Sequence, residues 1–68
     1  MSKEIYVELS KNNFEKHNKL LLDFVKREGI QIENKILKRG FILSCSDIDS
    51  YDNLTSFLDI NYINWQDN

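Results

Sequence analysis

The chain has 68 residues, a net charge of −2 and one cysteine. This length suits a single domain over residues 1–68, and one cysteine excludes an intramolecular disulfide. Cys45 and His17 are too few soft ligands for a structural zinc site, so we expect neither metal nor cofactor. No apolar run approaches membrane length and no signal peptide is recognisable, so we expect a cytoplasmic protein.

The first two predicted elements are a strand and a helix. Apolar and polar side chains alternate over residues 4–10, which is typical of a half-buried strand. A helix follows over about 12–28, with Asn12 and Glu15 placed as a capping box and Gly29 placed just after the end. The side of this helix predicted to face the core carries Phe14, His17, Leu21, Phe24, Val25 and Glu28.

Residues 30–45 predict two strands joined by a tight turn. Lys38-Arg39-Gly40 fits the turn because glycine tolerates positive φ. Glu33-Asn34-Lys35 is an alternative turn that the sequence leaves open. In the second strand Phe41, Leu43 and Cys45 share one side, which indicates the core.

The C-terminal part predicts a helix and a last strand. Ser46 fits an N-cap, and an apolar stripe at helical spacing extends the helix over about 47–59. Residues 60–65 predict a short strand, and the tail at 66–68 is expected to fray.

The predicted order of elements is β-α-β-β-α-β. In one small domain this order favours an α+β fold of the ferredoxin-like split βαβ type. That fold has a four-stranded antiparallel sheet with two helices on one face. The alternative is a β-α-β-β-α core in which the last segment is coil.

Catalytic chemistry has few candidates in this chain. Cys45 and His17 could form a nucleophile and base, but Cys45 shares its side with core residues and is expected to be a buried thiol. Gly29 and Gly40 are the only glycines, so a phosphate-binding loop is absent. We therefore expect a protein that is not an enzyme and has no catalytic residues.

Two short segments suggest nucleic-acid binding as an alternative. Residues 5–8, Ile-Tyr-Val-Glu, resemble the start of the first-strand motif of the RNA-recognition-motif family, and Arg39-Gly40-Phe41 resembles the start of its third-strand motif. The resemblance implies that Tyr6 and Phe41 stack on bases and that Arg39 contacts a phosphate. Against it, the chain is acidic and Phe41 has the parity of a core residue.

Charge is strongly segregated along the chain. All nine Lys and Arg lie within residues 1–39, where the net charge is +3, whereas residues 40–68 carry five Asp and no cation. On the second helix Asp49, Asp52, Ser56 and Asp59 form one stripe. Two explanations remain open. The stripe could face water or pair with cations such as Lys26 and Arg27 at the end of the first helix, or it could bind a basic partner.

Aromatic residues near the C-terminus form a further candidate site. Tyr62 and Trp65 are predicted in a terminal strand at the sheet edge, and aromatic side chains are enriched at binding hot spots. Such an edge, or the open sheet face around Tyr6 and Ile42, could also form a homodimer.

These observations favour a small protein-binding regulator or inhibitor. Its partner would be a basic or nucleic-acid-binding protein, and the binding residues would be Asp49, Asp52, Asp59, Tyr62 and Trp65. A composition rich in Ile, Asn, Lys and Asp without Ala or Pro is typical of AT-rich coding. We therefore expect a phage-type anti-defence protein, such as an anti-CRISPR inhibitor, or a host-takeover protein.

Overall fold

The computed structural model describes residues 3–12, 14–36 and 40–68. The elements follow the predicted order β-α-β-β-α-β. They are β1 (Lys3–Glu8), α1 (Phe14–Glu28), β2 (Gln31–Ile36), β3 (Gly40–Cys45), α2 (Ile48–Ile60) and β4 (Asn64–Asp67). The four strands form one open sheet in the order β2-β3-β1-β4, and each neighbouring pair is antiparallel. The predicted α+β class with a four-stranded antiparallel sheet and two helices is confirmed.

One side of the two central strands supplies the sheet's share of the core. Ile5 of β1 lies opposite Leu43 of β3, and Val7 lies opposite Phe41. All four side chains are fully buried, as is Cys45. The alternation in β1 and the apolar parity in β3 therefore predicted the buried side correctly.

Each helix contributes two side chains at helical spacing to the same core. These are Leu21 and Val25 of α1, and Leu54 and Leu58 of α2. Because all four belong to one cluster with the strand residues, this single core stabilises the whole domain. Burial of each large apolar side chain contributes about 1.5–3 kcal/mol.

The two helices also touch each other through an aromatic pair. The rings of Phe24 and Phe57 stack with their centroids 4.2 Å apart. Closer to the end of α1, Asn53 Nδ2 donates to Glu28 Oε1 at 3.3 Å. The later residue of α1 meets the earlier residue of α2, so the two helices run antiparallel.

Both predicted helix starts differ from the structure. Asn12, the predicted N-cap of α1, lies in a turn two positions before the helix begins. The N-cap of α2 is Asp47, not Ser46, because the Asp47 carboxylate accepts a hydrogen bond from Ser50 N at 2.8 Å. A carboxylate at this position satisfies a free N–H group and also suits the helix dipole.

The alternative turn at residues 33–35 is wrong, because these residues belong to β2. The register of β2 against β3 shifts between Ile32 and Asn34, which accommodates one extra residue in β2. The favoured turn at Lys38 and Arg39 lies outside the described residues.

The last strand begins four residues and ends two residues later than predicted. Helix α2 continues to Ile60, and β4 begins only at Asn64, so a strand over 60–65 is wrong. The tail is also ordered. Gln66 and Asp67 pair with β1, and Asn68 N donates to Glu4 O at 3.0 Å. Apolar periodicity alone could not separate a short strand from the last turn of a helix.

Candidate protein-binding surface

The outward side of α2 is acidic. Asp49, Asp52, Ser56 and Asp59, which we call the acidic stripe, are all exposed. Because Leu54 and Leu58 are fully buried on the other side, the helix must present these residues to solvent. The stripe is therefore a consequence of amphipathic packing, with like charges placed close together on one helix face.

Asp47 differs from the residues of the acidic stripe because its carboxylate caps the N-terminus of α2. The hydrogen bonds from the backbone and the side chain of Ser50 lower the pKa of Asp47 below the usual value of 3.8. A lowered pKa means that folding favours the ionised carboxylate. This charge therefore has a structural role in starting α2.

The basic end of α1 forms no ion pair with the start of α2 among the described residues. Among the described residues we find no ion pair between Lys26 or Arg27 and Asp47 or Asp49. The Arg27 guanidinium instead lies 5.7 Å from the centre of the Phe24 ring. The expected ion pairs between the helix ends are therefore not formed, and the carboxylates of Asp49 and Asp52 face solvent, which the first explanation also allowed.

Asp59 and Trp65, which the sequence placed in the same binding site, are joined by a hydrogen bond. Trp65 Nε1 donates to Asp59 Oδ1 at 2.8 Å, so the predicted binding residues Asp59 and Trp65 are in direct contact. Trp65 is half-buried and packs against the core, on the edge strand β4 as expected. Its indole N–H group fixes the position of Asp59.

A second side-chain bond joins α2 to β4 at the other end of the strand. Tyr51 Oη donates to Asp67 Oδ1 at 2.7 Å, and the Tyr51 ring meets Trp65 edge to face. The bond to Asp67 raises the pKa of Tyr51 above its usual value of 10. Sequence analysis missed this link because the two residues lie far apart in the chain.

Tyr62 occupies the turn that follows α2, not the edge strand as predicted. It is 93% exposed and has a φ of +57°, in the left-handed region. Tyr62 N donates to Asp59 O at 3.1 Å and Ile63 N donates to Leu58 O at 2.9 Å, a pattern that closes a helix C-terminus. Next to it, Ile60 is 75% exposed, so the stripe ends at an apolar patch of Ile60 and Tyr62.

A cleft of about 310 Å³ lies at the opposite end of α2. It is lined by Lys3, Ser46, Asp47, Ile48 and Tyr51. Lys3 Nζ lies 4.4 Å above the centre of the Tyr51 ring, so this cleft carries a positive charge beside the start of the acidic stripe. The acidic stripe therefore has a mixed-charge end near Ile48 and an apolar end near Tyr62.

The two catalytic candidates are not brought together. Cys45 is fully buried and lies opposite Lys3 at one end of β1, and burial raises the pKa of its thiol. His17 is buried beside Glu8 and Tyr62 at the other end. These ends are separated by the length of β1, roughly 17 Å at the rise of a strand. A direct transfer of a proton between the two side chains is excluded by this distance.

The nucleic-acid candidates are also divided. Phe41 has no exposed surface, so the proposal that it stacks on a base is wrong. Tyr6 is half-buried opposite Ile42 on the other side of the sheet, and Arg39 lies outside the described residues. Phe41 is buried because it lies on the same side of β3 as Leu43. The resemblance to the RNA-recognition motif did not take this position into account.

Within the described part of the chain, no group of three or more His, Cys, Asp or Glu side chains is arranged to hold a metal ion. Neither described helix has the length and apolar character that crossing a bilayer requires. Comparison with protein-family models, curated proteins and solved structures finds no match for this chain. The surface itself is therefore the basis for an assignment of function.

Proposed function

We propose that the protein acts without catalysis, by binding another protein through the acidic stripe of α2 and the apolar patch beside it. The partner carries a basic surface that binds nucleic acid, and occupation of this surface inhibits the partner. We further propose that the β-α-β-β-α-β arrangement is a ferredoxin-like split βαβ fold, with both helices on one sheet face. The proposed location is the cytoplasm.

The observation that carries this proposal is the unpaired acidic surface of α2. Asp49 and Asp52 are exposed and form no contact with a cation of the described chain. Neighbouring like charges on a helix are unfavourable by roughly a few tenths of a kcal/mol per pair, which offsets part of the favourable interaction of Asp49 with the start of α2. A partner with lysine and arginine side chains would remove this repulsion and bind faster at low salt.

The proposed biological setting is inhibition of a defence or regulatory protein of a bacterial host. A compact chain that is acidic in its C-terminal part matches the demands on a phage-type anti-defence protein of the anti-CRISPR kind. Such an inhibitor would compete with the phosphate backbone for the same basic groups. This competition gives the proposal a direct biochemical test.

The test is capture of partners from a nuclease-treated lysate of a low-GC bacterium by the immobilised protein. The charge-reversal variant Asp49→Lys/Asp52→Lys is compared with the wild type. The control is Glu15→Lys/Asp23→Lys, which makes the same charge change at exposed positions of α1. We expect a protein that is lost with the α2 variant, retained with the control, and released from labelled nucleic acid when this chain is added.

Three results would contradict the proposal. The first is an identical set of captured proteins for all variants. The second is a captured protein whose nucleic-acid binding does not change. The third is tight binding of oligonucleotides by this chain itself that is lost in Tyr6→Ala, which would support the nucleic-acid-binding alternative. Sedimentation equilibrium tests whether a second copy of the chain occupies the β4 edge instead.

A further inference from the structure

The turn after α2 places a tyrosine where the same turn after α1 places a glycine. After α1, Ile30 N donates to Val25 O at 3.0 Å and Gly29 has a φ of +71°. After α2, the matching hydrogen bond runs from Ile63 to Leu58, and Tyr62 takes the glycine position. Bulky side chains are rare in this left-handed conformation because Cβ approaches the backbone closely.

Tyr62 has no packing role that would explain this strain. Its side chain is 93% exposed, whereas the residue that closes the core at this turn is the buried Ile63. A strained residue that does not stabilise the fold points to a role in binding. Tyrosine is also one of the residues that carries the largest share of binding energy at protein interfaces.

The surroundings of Tyr62 define the chemistry of what it contacts. Ile60 adds exposed apolar surface, Asp59 lies in the last turn of α2, and Glu8 and His17 line the same small cavity as Tyr62. The C-terminal end of α2 adds a partial negative charge, and residues 40–68 contain no lysine or arginine. The acidic groups of α2 and Glu8 therefore favour a cationic group beside the Tyr62 ring.

We infer that Tyr62 is the anchor of the proposed surface, and that its ring packs against an apolar segment of the partner protein flanked by lysine or arginine side chains. This inference rests on the proposed function. Asp49, Asp52 and Asp59 contact the basic rim and attract the partner, whereas Tyr62 supplies the short-range contact that selects it. Trp65 is a positioning residue, because its N–H group holds Asp59 beside the anchor.

Binding of labelled peptides tests the anchor separately from the charge. Three sets of equal length are compared by fluorescence anisotropy: lysine- and arginine-rich peptides with a central pair of leucines, the same peptides with serines instead, and uncharged peptides with the leucines. The protein variants are Tyr62→Asn, which removes the ring and tolerates positive φ, and Ile48→Asn as the control. Ile48 is an exposed apolar residue at the other end of the same helix.

We expect the wild type and Ile48→Asn to bind the basic leucine peptides about tenfold more tightly than the basic serine peptides. Tyr62→Asn should lose this preference and still bind both basic sets. A preference that persists in Tyr62→Asn would overturn the inference and leave the proposed function intact. If the wild type does not prefer basic peptides over uncharged ones, the proposed function fails, and the inference fails with it.

Discussion

The indole N–H of Trp65 donates a 2.8 Å hydrogen bond to Oδ1 of Asp59 and joins the edge strand β4 to the acidic stripe of α2. Trp65 also meets the Tyr51 ring edge to face, and Tyr51 in turn donates to Asp67. The outer side of α2 is therefore fixed to the sheet at two points. Because Trp65 is the single tryptophan, its fluorescence reports on the state of the stripe.

Removal of the carboxylate at position 59 should change both the fluorescence and the stability. Asp59→Ala leaves the Trp65 N–H without its partner, and we expect a shifted emission maximum and a loss of about 0.5–1.5 kcal/mol in unfolding free energy. Urea denaturation followed by fluorescence measures both quantities. Asp49→Ala is the control, and an equal shift in that variant would contradict the assigned hydrogen bond.

The strain at Tyr62 predicts that a glycine there stabilises the protein. Tyr62→Gly should raise the unfolding free energy by about 0.5–1 kcal/mol, because the left-handed conformation then carries no steric penalty. Gly29→Ala should lower the unfolding free energy by about 1 kcal/mol. A Cβ at Gly29 would have no atom within 4 Å, so this cost comes from the backbone alone. Thermal unfolding should show a higher melting temperature for Tyr62→Gly and a lower one for Gly29→Ala. A lower melting temperature for Tyr62→Gly would contradict the assigned strain.

The single core predicts a large difference between two apolar residues of α2. Leu54 is fully buried and Ile60 is 75% exposed. Leu54→Ala should cost about 2–5 kcal/mol, which is much of the stability of a domain this small. Ile60→Ala should change the unfolding free energy by less than about 0.5 kcal/mol. Chemical denaturation measures the unfolding free energy of both variants. An equal loss in both would show that Leu54 does not belong to the core.

The cap of α2 makes stability depend on acid pH. Folding lowers the pKa of Asp47, so its stabilising contribution is complete above the unfolded value of 3.8 and is lost as pH falls through the folded pKa. Asp47→Asn keeps a capping side chain that does not titrate. We expect the melting temperature of the wild type to fall more steeply below about pH 4 than that of the variant. Parallel slopes would show that Asp47 does not contribute.

Much of the fold could be predicted because the apolar periods of β1, α1 and β3 are clear. Each of these segments has a buried side fixed by a single period, and Gly29 marks the end of α1 where φ is positive. The end of α2 lacked such a signal, since Tyr62 occupies the position that glycine usually takes. The remaining sign was the pair of Leu58 and Ile63, whose apolar contact often accompanies this turn.

The candidate site could be predicted only in part, for a different physical reason. Helical spacing was enough to group Asp49, Asp52 and Asp59 on one side of α2. The bonds from Trp65 to Asp59 and from Tyr51 to Asp67 depend on how β4 pairs with β1, and that register is a property of the folded sheet. The expected contact of Arg27 with the start of α2 is not formed, because the Arg27 guanidinium lies over the Phe24 ring instead.

The central claim is that the acidic stripe binds a basic partner, and comparative capture tests it most directly. Proteins retained by the wild type, by Asp49→Lys/Asp52→Lys and by Glu15→Lys/Asp23→Lys are quantified by mass spectrometry at low and high salt. The account predicts a nucleic-acid-binding protein that is retained at low salt by the wild type and by the α1 control, and is lost with the α2 variant or at high salt. Equal retention by all three proteins would contradict it.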